Sequence, residues 1–125
     1  MRGNDRGRYR GLTLRVLGTA AAAMGPGKAE LVERIARSGS ISAAAREMGM
    51  SYRRAWQLVE SLNRSFREPI ISTAIGGSRG GGARVTPYGG RLVARFRAME
   101  AKASAAITAD LQHFSANLRN PRKRR

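Results

Sequence analysis

Arg53 and Arg54 follow Gly49 at four and five residues in the stretch GMSYRRAWQ, Gly49 to Gln57. A guanidinium carries its donors in a rigid fork, which suits a phosphate or the paired acceptors on a guanine edge. Read as a turn followed by a helix, the stretch puts both arginines in the first helical turn. The macrodipole is positive there, so each cation costs about 0.3–1 kcal/mol. Two arginines kept at such a spot call for an anionic partner worth more than that. Ser51 is placed to cap the helix, and Gln57 follows one turn after Arg53.

Other residues with chemistry to offer are few. The loop IGGSRGGGARVT fails as a nucleotide-phosphate cradle, because no Gly-Lys-Ser/Thr follows and no helix begins at its end. As a hairpin tip it makes sense, since glycines allow a tight reversal and a close backbone approach. Arg79 at the tip is then placed for a minor groove or a phosphate, and Arg84 on the returning strand for a phosphate; an unspecific loop is the alternative. His113 is the single histidine and has no companion ligands or nucleophile near it in sequence, so a surface or interface role is expected. The eight acids are scattered and suggest no carboxylate pair. With no cysteine, disulfides and thiolate metal sites are excluded. No enzyme, cofactor or metal is expected.

The bulk charge points the same way as the arginines. Twenty-four Lys and Arg against eight Asp and Glu give +16 over 125 residues. Such an excess favours a polyanion, nucleic acid before an acidic membrane surface. Apolar residues make up 42%, too many for a disordered basic tail. LTLRVLGTAAAAMG superficially resembles a secretory signal, but Arg15 interrupts it and Gly-Pro leads directly into an amphipathic helix. No run approaches the ~20 apolar residues of a spanning helix.

The elements that must position these residues follow from periodicity and caps. Residues 1–10 read as a basic arm and 12–16, LTLRV, as a short strand. A first helix over Lys28–Ser38 shows Leu31, Val32, Ile35 and Ala36 at helical spacing. A second runs from about Ser42 to Met48, stops at Gly49, and a third restarts after Ser51 and continues to about Phe66. On the third, Tyr52, Ala55, Leu58, Val59, Leu62 and Phe66 form one apolar stripe, with Arg53, Gln57 and Arg64 opposite and Arg54 on the flank. Tyr52 packs in the core or meets a phosphate; Trp56, at the stripe's edge, reads as structural rather than base-stacking. IISTAI and ARVT flank the glycine loop as a hairpin. Thr86-Pro87 starts a long last helix, with Leu92, Phe96, Met99 and Ala103 on one face and Ile107, Leu111, Phe114 and Leu118 continuing it. Asn120-Pro121 ends it, and 119–125 form a basic tail.

This order of elements is that of a winged helix-turn-helix, mainly α with a small β hairpin. Ala45 is small where two helices cross, and Gly49 tolerates the positive φ of the turn. Ala44, Met48, Met50, Ala55 and Leu58 then face a shared core. In such motifs the start of the second helix enters the DNA major groove. Ser42, Ser51, Tyr52, Arg53, Arg54, Gln57, Arg64, Arg79 and Arg84 are the expected DNA contacts, and a bidentate arginine–guanine pair, about 1–3 kcal/mol, outweighs the dipole term.

GSISAAA, GMSYRRAW and the GG-x-x-GGGA-x-V-T-x-Y-G pattern, over about Leu12 to Lys102, resemble the DNA-binding domain of the ModE family. Those are molybdate-responsive transcriptional regulators with a winged helix-turn-helix related to that of LysR-type regulators. The resemblance implies a recognition helix at Ser51–Asn63, a wing at Gly76–Ala83 and a homodimer on an inverted-repeat operator. It also implies dimerisation through the helix from Pro87, here by Leu92, Phe96, Met99 and Ala103. Family members continue into oxyanion-binding modules where this chain reads NPRKRR, so molybdate binding by this chain is not expected. Sensing falls to a separate partner protein, or there is none.

The expected division is 1–10 arm, 11–86 winged helix-turn-helix, 87–118 dimerisation helix and 119–125 tail, in a cytoplasmic protein at the bacterial nucleoid. The rival is a non-specific nucleoid or RNA-binding protein acting through charge alone. An anion-binding enzyme using the glycine loop is a distant third.

Overall fold

The computed structural model describes residues 11–19, 22–74 and 82–119. The arm 1–10, the wing tip with Arg79, and 120–125 of the tail lie outside the described residues.

A short antiparallel pair opens the fold: β1 (Val16–Leu17) against β2 (Ala22–Met24), with Val16 opposite Met24. The strand expected over 12–16 is therefore displaced, since only Val16 of that run belongs to one. A strand needs a partner edge, and β2 supplies one only at Val16 and Leu17. The alanine-rich β2 gives no propensity signal of its own. It is held because Ala23 and Met24 are buried in the core.

Three helices follow: α1 (Pro26–Ser38), α2 (Ile41–Glu47) and α3 (Tyr52–Ser65). Their ends are set by side chains. Pro26 occupies the first turn of α1, and Ser40 Oγ caps α2 by accepting the Ala43 N–H at 3.0 Å. Ser51 does the same for α3 through the Arg54 N–H at 3.0 Å. Gly49, at φ 71°, makes the turn between α2 and α3, as its position in the sequence predicts. Leu31, Val32 and Ile35 of α1 pack with Ala44, Ala45 and Met48 of α2 and Ala55, Val59 and Leu62 of α3. Met50, Leu58 and Phe66 lie half-buried against them. Ala36 and Tyr52, expected on the inward stripes, are exposed, Tyr52 at 52%.

The wing is β3 (Ile71–Ala74) antiparallel to β4 (Gly82–Val85), Ile71 facing Val85 and Ser72 facing Arg84. Its base is tied to the helices at two places. The Ala83 N–H donates to Gly39 O at 3.0 Å, just beyond α1. Asn63 of α3 clasps the start of β3: its amide donates to Ile71 O at 2.9 Å and its carbonyl accepts from Ile70 N at 2.8 Å and Ile71 N at 3.1 Å. Asn63→Leu leaves those backbone groups without partners in a part-buried place. A loss of about 1–3 kcal/mol in unfolding free energy is expected, readable by urea denaturation.

Thr86 links the wing to the next helix, α4 (Pro87–Ala106), capping it through the Gly89 N–H at 2.9 Å. The last helix does not run unbroken to Leu118. It leaves helical geometry at Ile107 (φ −114°, ψ 20°) and resumes as α5 (Thr108–Ser115). The Thr108 hydroxyl donates to Ser104 O at 3.0 Å and Ala105 O at 3.2 Å, competing for the carbonyls that a continuous helix would use.

Nor is α4 separate from the winged domain. Val93 and Phe96 are buried in the same core, and Arg97 binds Glu33 of α1 with both arms of its fork at 2.9 Å. Those hydrogen bonds hold the Glu33 carboxyl below its ordinary range and the Arg97 guanidinium above its own, against burial. A carboxyl whose folded value is lowered stabilises the fold above the unfolded value, and that stabilisation fades as pH falls through the folded one. Both partners are 36% exposed, so solvent screening limits the pair to about 1 kcal/mol or less. Arg97→Met is expected to be less stable than wild type by up to that amount at pH 7. The gap should narrow as pH falls below the ordinary carboxylate range, in thermal melts across an acid series.

Candidate nucleic-acid interface

The apolar side of α3 is committed to the core through Ala55, Val59 and Leu62, all fully buried. Helical geometry then dictates what faces out: Arg53, Gln57, Glu60 and Arg64 lie opposite that stripe, and all four are exposed. The two flanks differ. Asn63 faces the wing on one, while Arg54 and Ser61, two turns apart, share the other.

The expected contact residues fall on one continuous set of elements. Ser42 is exposed in the first turn of α2, and Ser51, Tyr52, Arg53 and Arg54 are exposed at the start of α3. Gln57 and Arg64 extend the row along α3, and Arg84 projects from β4 beside Ser72. Arg79 lies outside the described residues. Trp56 is 37% exposed beside Tyr52, one turn away on α3.

Charge is sorted across the molecule. Arg34 pairs with Glu30 at 2.8 Å and Glu47 at 3.0 Å, and Arg97 with Glu33 at 2.9 Å and Glu100 at 2.8 Å. Arg34–Glu47 joins α1 to α2 and Arg97–Glu33 joins α1 to α4, and none of the four pairs involves a residue of α3. Among the described residues, Arg53, Arg54, Arg64 and Arg84 make no ion pair. Their donors are free for an external anion or base edge. Arg can bond guanine O6 and N7, and Gln57 can bond adenine N6 and N7.

The face expected to join two copies is divided by the fold. Phe96 is 2% exposed in the protomer's own core, and Leu92 packs half-buried against it, so neither presents a free surface. Ala103 is half-buried, whereas Met99 is exposed. Phe114 and Leu118, further along, are about two-thirds exposed (65% and 64%).

Sequence reasoning misses two residues that position α3. Asn63 carries no signal beyond being a poor helix former inside a helix, and Lys28 looks like any solvated lysine. His113 is exposed on α5. Among the described residues no three His, Cys, Asp or Glu side chains cluster to hold a metal, and no helix is long and apolar enough to cross a membrane.

Residues 27–90 match the family described as bacterial regulatory helix-turn-helix protein, lysR family. The chain is 46% identical over 100 residues to molybdenum-pterin-binding protein MopB of Rhodobacter capsulatus, covering 79% of this chain and 36% of that protein. It is 40% identical over 77 residues to molybdenum transport protein ModE of Azotobacter vinelandii (62% of this chain, 28% of that one). Against DNA-binding transcriptional dual regulator ModE of Escherichia coli K12, identity is 41% over 68 residues, covering 54% of this chain and 26% of that protein. The chain thus spans about a third or less of the length of these curated relatives.

Proposed function

This chain belongs to the bacterial regulatory helix-turn-helix proteins of the lysR family, and on that premise we propose that it is a sequence-specific transcriptional regulator serving molybdenum metabolism. The observation that carries the reading is the outward side of α3. Arg53, Gln57 and Arg64 stand exposed, with no ion pair on either arginine among the described residues, on a helix whose opposite side is locked into the core. In this geometry α3 lies in the major groove, and Arg84 of the wing meets the adjoining backbone.

The regulator acts as a homodimer on an inverted-repeat operator, its half-sites about one helical turn, ~34 Å, apart or a multiple of that. Met99, Phe114 and Leu118 support the dimer, being apolar and exposed on α4, on α5 and just beyond it. The link to molybdenum is supported by the names of the relatives alone. In this reading a separate sensor protein carries the signal to this chain. Its place is the cytoplasm, at the nucleoid.

Genome-wide mapping of bound sites, with and without molybdate, tests the function. Expected is an inverted repeat enriched near molybdenum-related genes. Binding spread evenly over the chromosome, or equal affinity for operator and random duplex at physiological salt, would refute sequence-specific regulation. Sedimentation at micromolar concentration tests the dimer, and a monomer there would overturn it.

A further inference from the structure

The flank of α3 that faces away from the wing holds a cluster of cations with no acid paired to them among the described residues. Lys28, in the first turn of α1, reaches across to α3: its ammonium donates to Ser61 Oγ at 2.9 Å and to Ala22 O at 2.7 Å. Both acceptors are neutral. The charges that bear on it are all positive. Burial lowers its pKa first, then Arg54, Arg15 and Arg64 in that order. Arg15 comes from the segment before β1, and its stem lies by the entrance to α1, where a Cβ added to Gly25 would sit 3.4 Å from Arg15 Cγ. Arg54 and Ser61 share this flank of α3, two turns apart, so Arg54 and the Lys28 head occupy the same side. Arg15, Arg54 and Arg64 are exposed, and none of the three nor Lys28 makes an ion pair among the described residues.

Like charges gathered this way repel one another in the free protein, and among the described residues no carboxylate pairs with them. Arg34 and Arg97, by contrast, each hold two carboxylates.

We infer that Arg15 and Arg54, backed by the fixed charge of Lys28, form a backbone-phosphate site on the side of the recognition helix opposite the wing. The inference rests on α3 lying in the major groove. With α3 there, its two flanks face the two phosphate ridges that border the groove. Arg84 of the wing serves one ridge and this cluster the other. Contacts of this kind hold the helix in register and carry no base preference themselves. The occupant is a phosphodiester of the bound duplex rather than a free oxyanion, because Arg54 belongs to the helix that enters the groove.

Fluorescence anisotropy of the full chain, on an operator and a random duplex of equal length across a salt series, tests the site. Arg15→Ala shortens an exposed side chain and is the primary variant; circular dichroism checks its fold. Expected is a loss of about 3- to 10-fold on both duplexes, with the operator preference retained. The log–log salt slope should fall by about 0.9, the value for one phosphate contact. Lys28→Gln should act in the same direction, and Arg84→Ala provides the wing-side comparison. An unchanged slope and affinity for Arg15→Ala, while Arg84→Ala loses both, would overturn the site and leave the groove reading standing. The groove reading fails differently: wild type then shows no operator preference to retain. Saturable binding of inorganic phosphate to the DNA-free chain, abolished by Arg15→Ala with no change in salt slope, would overturn the assignment in favour of a free oxyanion.

Discussion

Arg53→Ala is expected to weaken binding to the operator by about 5- to 150-fold while barely changing affinity for random duplex. The figure corresponds to the ~1–3 kcal/mol of discrimination in a bidentate arginine–base pair. Three features of the site make this variant informative. Arg53 is exposed and makes no ion pair, so its removal leaves no buried group unpaired. The cap that starts α3 is Ser51 to the Arg54 N–H, which is untouched. The substitution also removes a cation from the positive end of the helix dipole, which should raise the stability of the free protein by about 0.3–1 kcal/mol. A variant that folds at least as well yet loses operator binding isolates recognition from folding. The measurement is anisotropy on both duplexes at one fixed salt, with a thermal melt alongside. If operator and random duplex weaken by the same factor, and the salt slope drops by about one, Arg53 is a phosphate contact. Binding driven by the +16 charge alone would then be the better description.

Gly89→Val should have the largest effect on the fold. Gly89 is buried in the first turn of α4, where the segment leading into the wing passes it. A Cβ built there would lie 2.6 Å from Ile70 O, 2.9 Å from Ile70 Cγ2 and 3.0 Å from Ile70 Cα. Two of those atoms are backbone and cannot rotate away. Ile70 O also accepts the Thr86 N–H at 2.9 Å, and Ile70 N is held by Asn63, so shifting this segment strains the wing and α4 together. Overpacking of this kind costs about 1–3 kcal/mol, and a displaced hydrogen bond adds about 1. A total of about 2–4 kcal/mol lowers Tm by roughly 10 °C or more in a domain of this size. The neighbouring Gly90 is the control: it is exposed and has nothing within 4 Å of its added Cβ. Gly90→Ala should be neutral or stabilising by up to about 1 kcal/mol, through helix propensity and a stiffer unfolded chain. Equal melting temperatures for the two variants would refute the close approach at Gly89.

Much of this architecture is written in short-range signals. Ser51 and Thr86 cap the helices that begin after them, Gly49 takes the left-handed turn, and the stripe of Ala55, Val59 and Leu62 points inward. Caps, turns and periodicity act over one or two helical turns, so they can be read without knowing what lies across the fold. The outward row of Arg53, Gln57 and Arg64 follows from the same wheel.

The misreadings share the opposite cause. Tyr52 fits the apolar stripe by spacing but sits at the start of α3, beyond the reach of the core. Phe96 and Met99 look alike on one face of the last helix, yet only Phe96 meets the hydrophobic cluster. The break at Ile107 lies in a run with no proline or glycine to announce it.

What the sequence by itself determines, then, is the succession of elements, the turn at Gly49 and the basic, outward side of α3. Tertiary structure alone decides that Asn63 clasps the wing, that Arg97 spans to Glu33, and that Lys28 reaches Ser61 to sit among arginines. Each of those contacts joins different elements. No local propensity encodes them, and they form only when burial of the shared core brings α1, α3, α4 and the wing together.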